Sequence, residues 1–290
     1  MEQFIQELGE LKSFVNSQLS AHFQEHDSVL QGLNESMKYS LFSNGKRLRP
    51  IFCLLVGDIF GVDKEKLVST VCALEMIHTS SLILDDLPYM DNAKIRRGKS
   101  ANHMVYGHDT SILSSVALLM QGLEIIASDS SIPEDIKNEL LLNFTRVVGA
   151  QGMTGGQFVD LKKTDERLTG KYLDYIHTHK TASLFVLAGL SATIVAKANN
   201  VEKEAIQNYA LNLGFAFQVL DDILDTDGKE NETGKSGRKD KINFVKIYGS
   251  EKSVDLVDEY TKKALSAIEI FKGRNQKLIK LGQILLKRKS

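Results

Sequence analysis

Two groups of aspartates stand out as residues that could do chemistry together: Asp85-Asp86-Leu87-Pro88-Tyr89-Met90-Asp91 and Asp221-Asp222-Ile223-Leu224-Asp225. Asp221 and Asp225 share a helix face, and Pro88 breaks its helix so that Asp91 can bend back toward Asp85. Each group lies at or near the end of an apolar stretch, 67–84 and 211–224, that reads as a core helix. Acids there oppose the helix dipole at a cost of about 0.3–1 kcal/mol each. They also repel one another unless a divalent cation lies between them. Oxygen donors with no nearby cysteine suit a hard cation, and sparse carboxylate sites suit Mg²⁺ shared with a phosphate-bearing substrate. Asp85, Asp86, Asp91, Asp221, Asp222 and Asp225 are therefore candidate ligands of a multi-metal site. Either cluster alone could be no more than a solvated acidic face.

Cations accompany these acids. Gly45-Lys46-Arg47-Leu48-Arg49-Pro50 puts three positive charges just before a helix start, which is unfavourable unless an anion joins them. Arg96-Arg97-Gly98 follows Asp91 closely, and His78 lies two turns before Asp85 on nearly the same face. Lys180-Thr181 lies near the start of the apolar stretch at Leu184, and Gln218 sits one turn before Asp222. Lys235 and Lys241, in a polar stretch, read by themselves as solvated. Three Mg²⁺ would offset the six aspartates and leave the basic residues to neutralise diphosphate oxygens. Two basic groups, Lys46/Arg49/Arg97 and Arg96/Lys180/Lys235/Lys241, point to two anionic substrates with apolar tails.

The elements that must position these residues read as helices. Only Pro50, Pro88 and Pro133 occur, where ordinary usage of about 5% would give roughly fourteen. Helical periodicity runs through 2–25, 28–42, 50–60, 64–85, 108–128, 134–155, 170–198, 202–226, 238–248, 250–271 and 275–287, and strand signals are missing. No linker or repeat divides the chain, so a single all-α domain over residues 1–290 is expected, a helical bundle around a central cavity. The 42% hydrophobic content fills a core, and a net charge of −1 offers no footprint for nucleic acid. Cys53 and Cys72 lack metal-ligand spacing and read as buried thiols of a reducing compartment. The longest nearly apolar run, Leu184 to Ala196, falls short of the roughly 20 residues a bilayer needs, so no membrane span is expected. With an N-terminus that reads as neither signal nor transit peptide, the expected location is the cytoplasm.

The ordered motifs GKRLRP (45–50), EMIHTSSLILDDLPYMDNAKIRRG (75–98), GGQ (155–157), KT (180–181), FQVLDDILD (217–225) and TGK (233–235) resemble the trans-isoprenyl diphosphate synthases of the farnesyl/geranylgeranyl type. The resemblance covers about residues 25 to 250 and implies an isoprenoid-synthase fold and Mg²⁺-dependent head-to-tail prenyl transfer. It implies that the two aspartate motifs hold three Mg²⁺, with Mn²⁺ able to substitute, around an allylic diphosphate (dimethylallyl, geranyl or farnesyl). It assigns Arg96, Lys180, Lys235 and Lys241 to that diphosphate, and Lys46, Arg49, His78 and Arg97 to isopentenyl diphosphate. Thr181 and Gln218 match positions beside the reacting carbons, so that Asp85, Asp86, Asp221, Lys180, Thr181 and Gln218 form the catalytic set. A homodimer is also implied. Asn44, Ala93-Lys94 and Ser114-Ser115-Val116 depart from the usual pattern, and the stretch from Lys235 to Lys241 is short.

The growing tail should run from Asp85 back along its helix, where one turn rises about 5.4 Å, close to one isoprene unit. Ser80 and Ser81 lie one turn below the aspartates and Ile77 lies in the next layer; in this family a bulky aromatic at the serine positions limits products to the farnesyl length. Small residues there, Ser80 above all, favour geranylgeranyl diphosphate, with farnesyl diphosphate next, and Ser80→Phe is expected to shorten the product. A class I terpene cyclase would instead need an Asn/Ser/Glu-type second metal motif. A non-catalytic regulatory subunit of a prenyl synthase should have lost part of the ligand set, which this chain keeps.

Overall fold

The computed structural model describes residues 1–161, 170–226 and 243–286. Its helices start and stop where local chemistry directs. In the first part of the chain, α1 (Glu2–His22), α2 (Gln31–Leu41), α3 (Leu48–Ile59) and α4 (Val68–Asp85) lead into the first aspartate cluster. Pro50 falls in the first turn of α3, where its missing N–H costs nothing, and α4 ends on Asp85 two residues before the Leu87-Pro88 break.

A short antiparallel ladder follows, β1 (Ile95–Arg96) with β2 (Lys99–Ser100). This corrects the expectation that strands are absent. Arg97 (φ 54°) and Gly98 (φ 78°) both lie in the left-handed region, as the central pair of a tight hairpin turn requires. An Arg-Gly turn flanked by only two ladder rungs is too short for alternation to reveal. After α5 (Asn102–Tyr106) come α6 (His108–Ser128), α7 (Glu134–Val148) and α8 (Met153–Leu161). The single helix expected over 134–155 is thus broken at Gly149–Gly152. A Cβ at Gly152 would lie 1.9 Å from the Val147 carbonyl oxygen, so the tight passage demands glycine.

The chain continues through α9 (Gly170–Ile176), a π-helical turn over His177–Ala182, and α10 (Ser183–Val195), then α11 (Asn200–Thr226). It closes with α12 (Phe244–Tyr248), α13 (Ser250–Ala267) and α14 (Gln276–Leu286). The rest of the helix expected over 238–248 falls mainly outside the described residues.

The core is helix on helix. α4 and α10 are apolar on almost every face; α4 packs on α6, α3 and α1, and α10 packs on α3, α11 and α7. Phe52 of α3 stacks on Phe185 of α10 at 4.2 Å between ring centroids, and the Tyr209 hydroxyl donates to the Leu278 carbonyl at 2.6 Å, fastening α14 to α11. Each buried Leu, Ile or Phe contributes about 1.5–3 kcal/mol relative to an exposed one. Where α4 meets α6, a Cβ on Gly122 would come within 3.2 Å of Ile77 and 3.3 Å of the Ala73 carbonyl oxygen, so the two helices are in close contact. Two stretches, Lys64–Asp85 and His108–Ser128, are long and apolar enough to cross a membrane, a match that judging by the longest uninterrupted run overlooked. The first is mostly buried in the bundle. All this delivers the C-terminal end of α4, the start of α3, the hairpin and the π-helical turn to one region.

Candidate active site

The first aspartate cluster is arranged by backbone. Asp85 is the last residue of α4 and Asp86 its cap. Beyond Pro88 the chain turns back: Met90 N–H donates to the Leu87 carbonyl at 2.9 Å and Asp91 N–H to the Asp85 carbonyl at 2.8 Å. The bend that brings Asp91 back to Asp85 is therefore realised.

The two paired aspartates have different surroundings. Asp86 is buried and takes a two-pronged contact from Arg96, whose Nε lies 2.9 and 3.0 Å from its two oxygens. Asp85 is half-buried and shares a field with Lys180, Asp91, Arg96 and Asp86. Burial pushes its carboxyl up to about 6, opposed by Lys180 and reinforced by Asp91.

That shift has a consequence for stability. Between the ordinary carboxylate value and about 6, the folded metal-free protein binds a proton at Asp85 that the unfolded chain does not, so this group's contribution falls as pH rises through that window. Asp85→Asn is expected to stabilise metal-free protein at pH 7 by about 1–3 kcal/mol and to leave it unchanged near pH 4, measured by urea denaturation at both pH values.

The basic residues divide into those that fasten the site and those that face it. Arg47, in a left-handed conformation (φ 53°) at the start of α3, is 3% exposed. Its guanidinium bonds Glu75, Asn16 Oδ1 (2.9 Å) and the carbonyls of Leu41 (2.7 Å) and Ser43 (3.2 Å). Arg49 reaches α4 instead, its Nη1 donating to His78 Nε2 at 3.1 Å. Arginine has only donors, so Nε2 accepts and the proton of neutral His78 sits on Nδ1. Burial, then Arg49 and the other arginines, hold His78 well below its ordinary value. Burial likewise lowers Arg49 to about 10, with Glu75 opposing and Arg97 assisting. Arg97 donates to Ser43 Oγ (3.2 Å) and to Glu75 (3.3 Å). Lys46 lies exposed between Gly45 and Arg47.

On the opposite side, Lys180 projects from the π-helical turn to Asp160 of α8 at 2.7 Å and acts electrostatically on Asp85. Single π turns gather at functional positions because they re-aim side chains. This turn also packs on α11, which carries the second cluster. Asp222 is buried and accepts from Gln218 Nε2 at 2.9 Å and from the backbone N–H of Phe244 at 2.9 Å. Asp221 is half-buried beside it. Asp225 lies on the same helix and Thr181 on the π-helical turn; their side chains, and Lys235 and Lys241 altogether, lie outside the described residues.

Among the described residues no three acid, histidine or cysteine side chains converge closely enough to hold a cation by themselves. The donor set nevertheless fits a hard divalent ion, since carboxylates alone repel and Mg²⁺ sites of this kind are completed by substrate phosphate.

Glu75 and Asp160 escaped the sequence reading. Glu75 is 1% exposed within the apolar run of α4, and an acid so placed must have cationic partners. That isolation was the available signal. Asp160, three residues after the GGQ motif, carried none.

The chain-length positions are separated by the structure. Ser80 is buried, its hydroxyl 2.9 Å from Ser115 Oγ of α6. Ser81 is half-buried on the face of Asp85 and donates to the His78 carbonyl at 2.9 Å. Ile77 is buried in the α4–α6 contact.

An all-α bundle that brings aspartates at a core helix end together with arginines, a lysine and a neutral histidine defines a site suited to phosphorylated substrates. Residues 30–272 match the polyprenyl synthetase family model, and the chain belongs to that family. It is 38% identical over 262 residues to a geranylgeranyl diphosphate synthase of Cyanophora paradoxa, covering 88% of this chain and 87% of that one. It is equally 38% identical over 242 residues to the chloroplastic geranylgeranyl pyrophosphate synthase 3 of Arabidopsis thaliana, covering 80% of this chain and 67% of that one. Among solved structures, an FPP/GFPP synthase from Zymomonas mobilis superposes with a TM-score of 0.89 at 26% identity, covering 98% of this chain and 99% of that one. A geranyltransferase from Legionella pneumophila gives 0.89 at 26% identity, with 99% and 97% covered.

Proposed function

We propose that the protein condenses an allylic diphosphate with isopentenyl diphosphate, head to tail, to a short-chain trans-prenyl diphosphate, with geranylgeranyl diphosphate favoured over farnesyl diphosphate. The observation that carries this is the gathering of more cations than one diphosphate needs around one acid-rich helix end, from the start of α3, the hairpin and the π-helical turn. Arg49 donates to His78 of α4, Arg97 lies in the hairpin turn, and Lys180 and Arg96 approach Asp85 and Asp86 at the end of α4. One anionic substrate would need fewer.

In this reading Arg96 and Lys180, with Lys235 and Lys241, grip the allylic diphosphate. Lys46, Arg49, His78 and Arg97 bind isopentenyl diphosphate, the Nδ1–H of neutral His78 serving as a donor. Mg²⁺ held by Asp85, Asp91 and Asp221, with Asp86, Asp222 and Asp225 around them, would number three per site, with Mn²⁺ able to substitute, and would neutralise the departing diphosphate. Gln218 and Thr181 present oxygen dipoles to the allylic cation left when the C–O bond breaks. The isopentenyl double bond attacks that cation, and the departed diphosphate takes the proton, so no side-chain nucleophile is required.

A homodimer is supported by the exposed stripe Ile112, Val116 and Met120 on α6, continued by Met104 and Val105 of α5. Sedimentation at the mass of two chains is expected. A cytoplasmic setting is supported by two buried, unbridged cysteines, Cys53 and Cys72.

The decisive experiment incubates purified protein with Mg²⁺, excess isopentenyl diphosphate and each allylic primer in turn, followed by product chromatography. Geranylgeranyl diphosphate is expected, and EDTA should abolish it. No chain extension, or turnover indifferent to EDTA, would overturn the activity; farnesyl diphosphate as sole product would overturn the length assignment.

A further inference from the structure

We propose that Glu75 is the positioning residue of the isopentenyl diphosphate subsite, holding Arg97 directly and the Gly45–Arg49 turn through Arg47. The proposal rests on the functional reading above for the identity of the subsite.

Four observations converge on this carboxylate. It is 1% exposed, yet it contacts two guanidinium groups from different segments, Arg47 at the start of α3 and Arg97 in the hairpin turn. It is also the charge that opposes the loss of Arg49's proton on burial. Both arginines that touch it lie in the left-handed backbone region, Arg47 at φ 53° and Arg97 at φ 54°. Such conformations persist only where surrounding contacts over-determine them. Finally, the guanidinium groups of both arginines that touch Glu75 crowd against Gly45, where a Cβ would come within 2.8 Å of Arg97 Cζ and 3.1 Å of Arg47 Nη1.

The division of labour follows from counting donors. The side chain of Arg47 is committed to Glu75, Asn16 and two carbonyls, so although it stands between Lys46 and Arg49 in a basic motif it is a strut and not a substrate ligand. Arg97 gives one nitrogen to Glu75 and another to Ser43 and keeps further N–H groups for an incoming anion. One buried acid thus fixes the separation between the α3 turn and the hairpin, and so between Arg49 and Arg97. The allylic side is built differently, on Arg96 with Asp86 and Lys180 with Asp160, and none of those contacts involves Glu75.

The test is a split between the two substrates. In steady-state assays Glu75→Gln is expected to raise KM for isopentenyl diphosphate at least tenfold while KM for the allylic primer stays within about twofold. Glu75→Asp, which keeps the charge on a shorter arm, should recover part of that loss. Asn16→Ala removes one partner of Arg47 and should raise the same KM by a smaller factor. It carries the test by itself if Glu75→Gln does not fold. Equal rises in both KM values, or lower thermal stability and kcat with neither KM changed, would overturn the proposal. Failure of the wild type to extend any primer would instead overturn the functional reading, so the two failures are distinguishable.

Discussion

Asp85→Ala and Asp221→Ala are each expected to lower kcat by roughly 10²–10³-fold or more, with KM values changed far less, in assays at saturating Mg²⁺. The cause is differential charge. An ionised diphosphate gathers negative charge on the leaving oxygen as the C–O bond stretches, and groups that neutralise it act mainly in the transition state. Removing one positive or hydrogen-bond-donating partner of such a charge typically costs about 3–4 kcal/mol, and in the proposed reading Asp85 and Asp221 would act only through the cation they hold, so that either substitution would remove that partner. Asp86 and Asp222 provide the internal comparison. Each is buried and already bonded by protein groups, Asp86 by Arg96, Asp222 by Gln218 and the Phe244 backbone. Their asparagine variants should act through displacement of Arg96 or of the α12 segment, changing KM as well as kcat. An effect below about tenfold for both Asp85→Ala and Asp221→Ala would remove the basis of the mechanism.

Much of this arrangement was legible beforehand because helices announce themselves. Scarce proline and apolar stretches at the helical period mark α1 to α4, α6 and α11 to within a few residues, and Pro88 marks the turn that returns Asp91 to Asp85. What escaped depends on contacts between segments. The Arg97-Gly98 turn needs two left-handed residues but is flanked by too few strand residues to alternate. The π-helical turn at His177–Ala182 differs from α-helix by a single extra residue per turn, which leaves no trace in the pattern. Lys46, Arg47 and Arg49 are alike in charge; the resemblance leaves Arg47 out of the substrate ligands, and the fold gives the reason by turning it inward to Glu75. Ser80 and Ser81 are likewise indistinguishable as letters, yet about 100° of helical rotation sends one to α6 and leaves the other below Asp85.

That rotation decides where product length should be controlled. Ser81→Phe is expected to change the main product from geranylgeranyl to farnesyl diphosphate, with the rate of the first condensation retained within several-fold, as read by product chromatography and single-turnover assay. Ser81 lies one turn before Asp85 on the same face, about 5.4 Å back along α4, so if the tail runs along α4 as proposed, a ring there would occupy the space that the last isoprene unit of the longer product must enter. Among the described residues the hydroxyl lost bonds only to the His78 carbonyl within the same helix, so the substitution breaks no bond between helices. Ser80→Phe meets a different obstacle. Ser80 is 4% exposed and bonded to Ser115 of α6, and Gly122 already brings the two helices into close contact one layer away. A ring at Ser80 must therefore push α6 outward or leave its rotamer, and overpacking of this kind typically costs about 1–3 kcal/mol. Its expected signature is a lower Tm together with a mixture of products, whereas Ser81→Phe should shorten the product at nearly unchanged Tm. Geranylgeranyl diphosphate as the undiminished main product of Ser81→Phe would show that the tail leaves α4 before this turn, and would place the limit on product length on another helix.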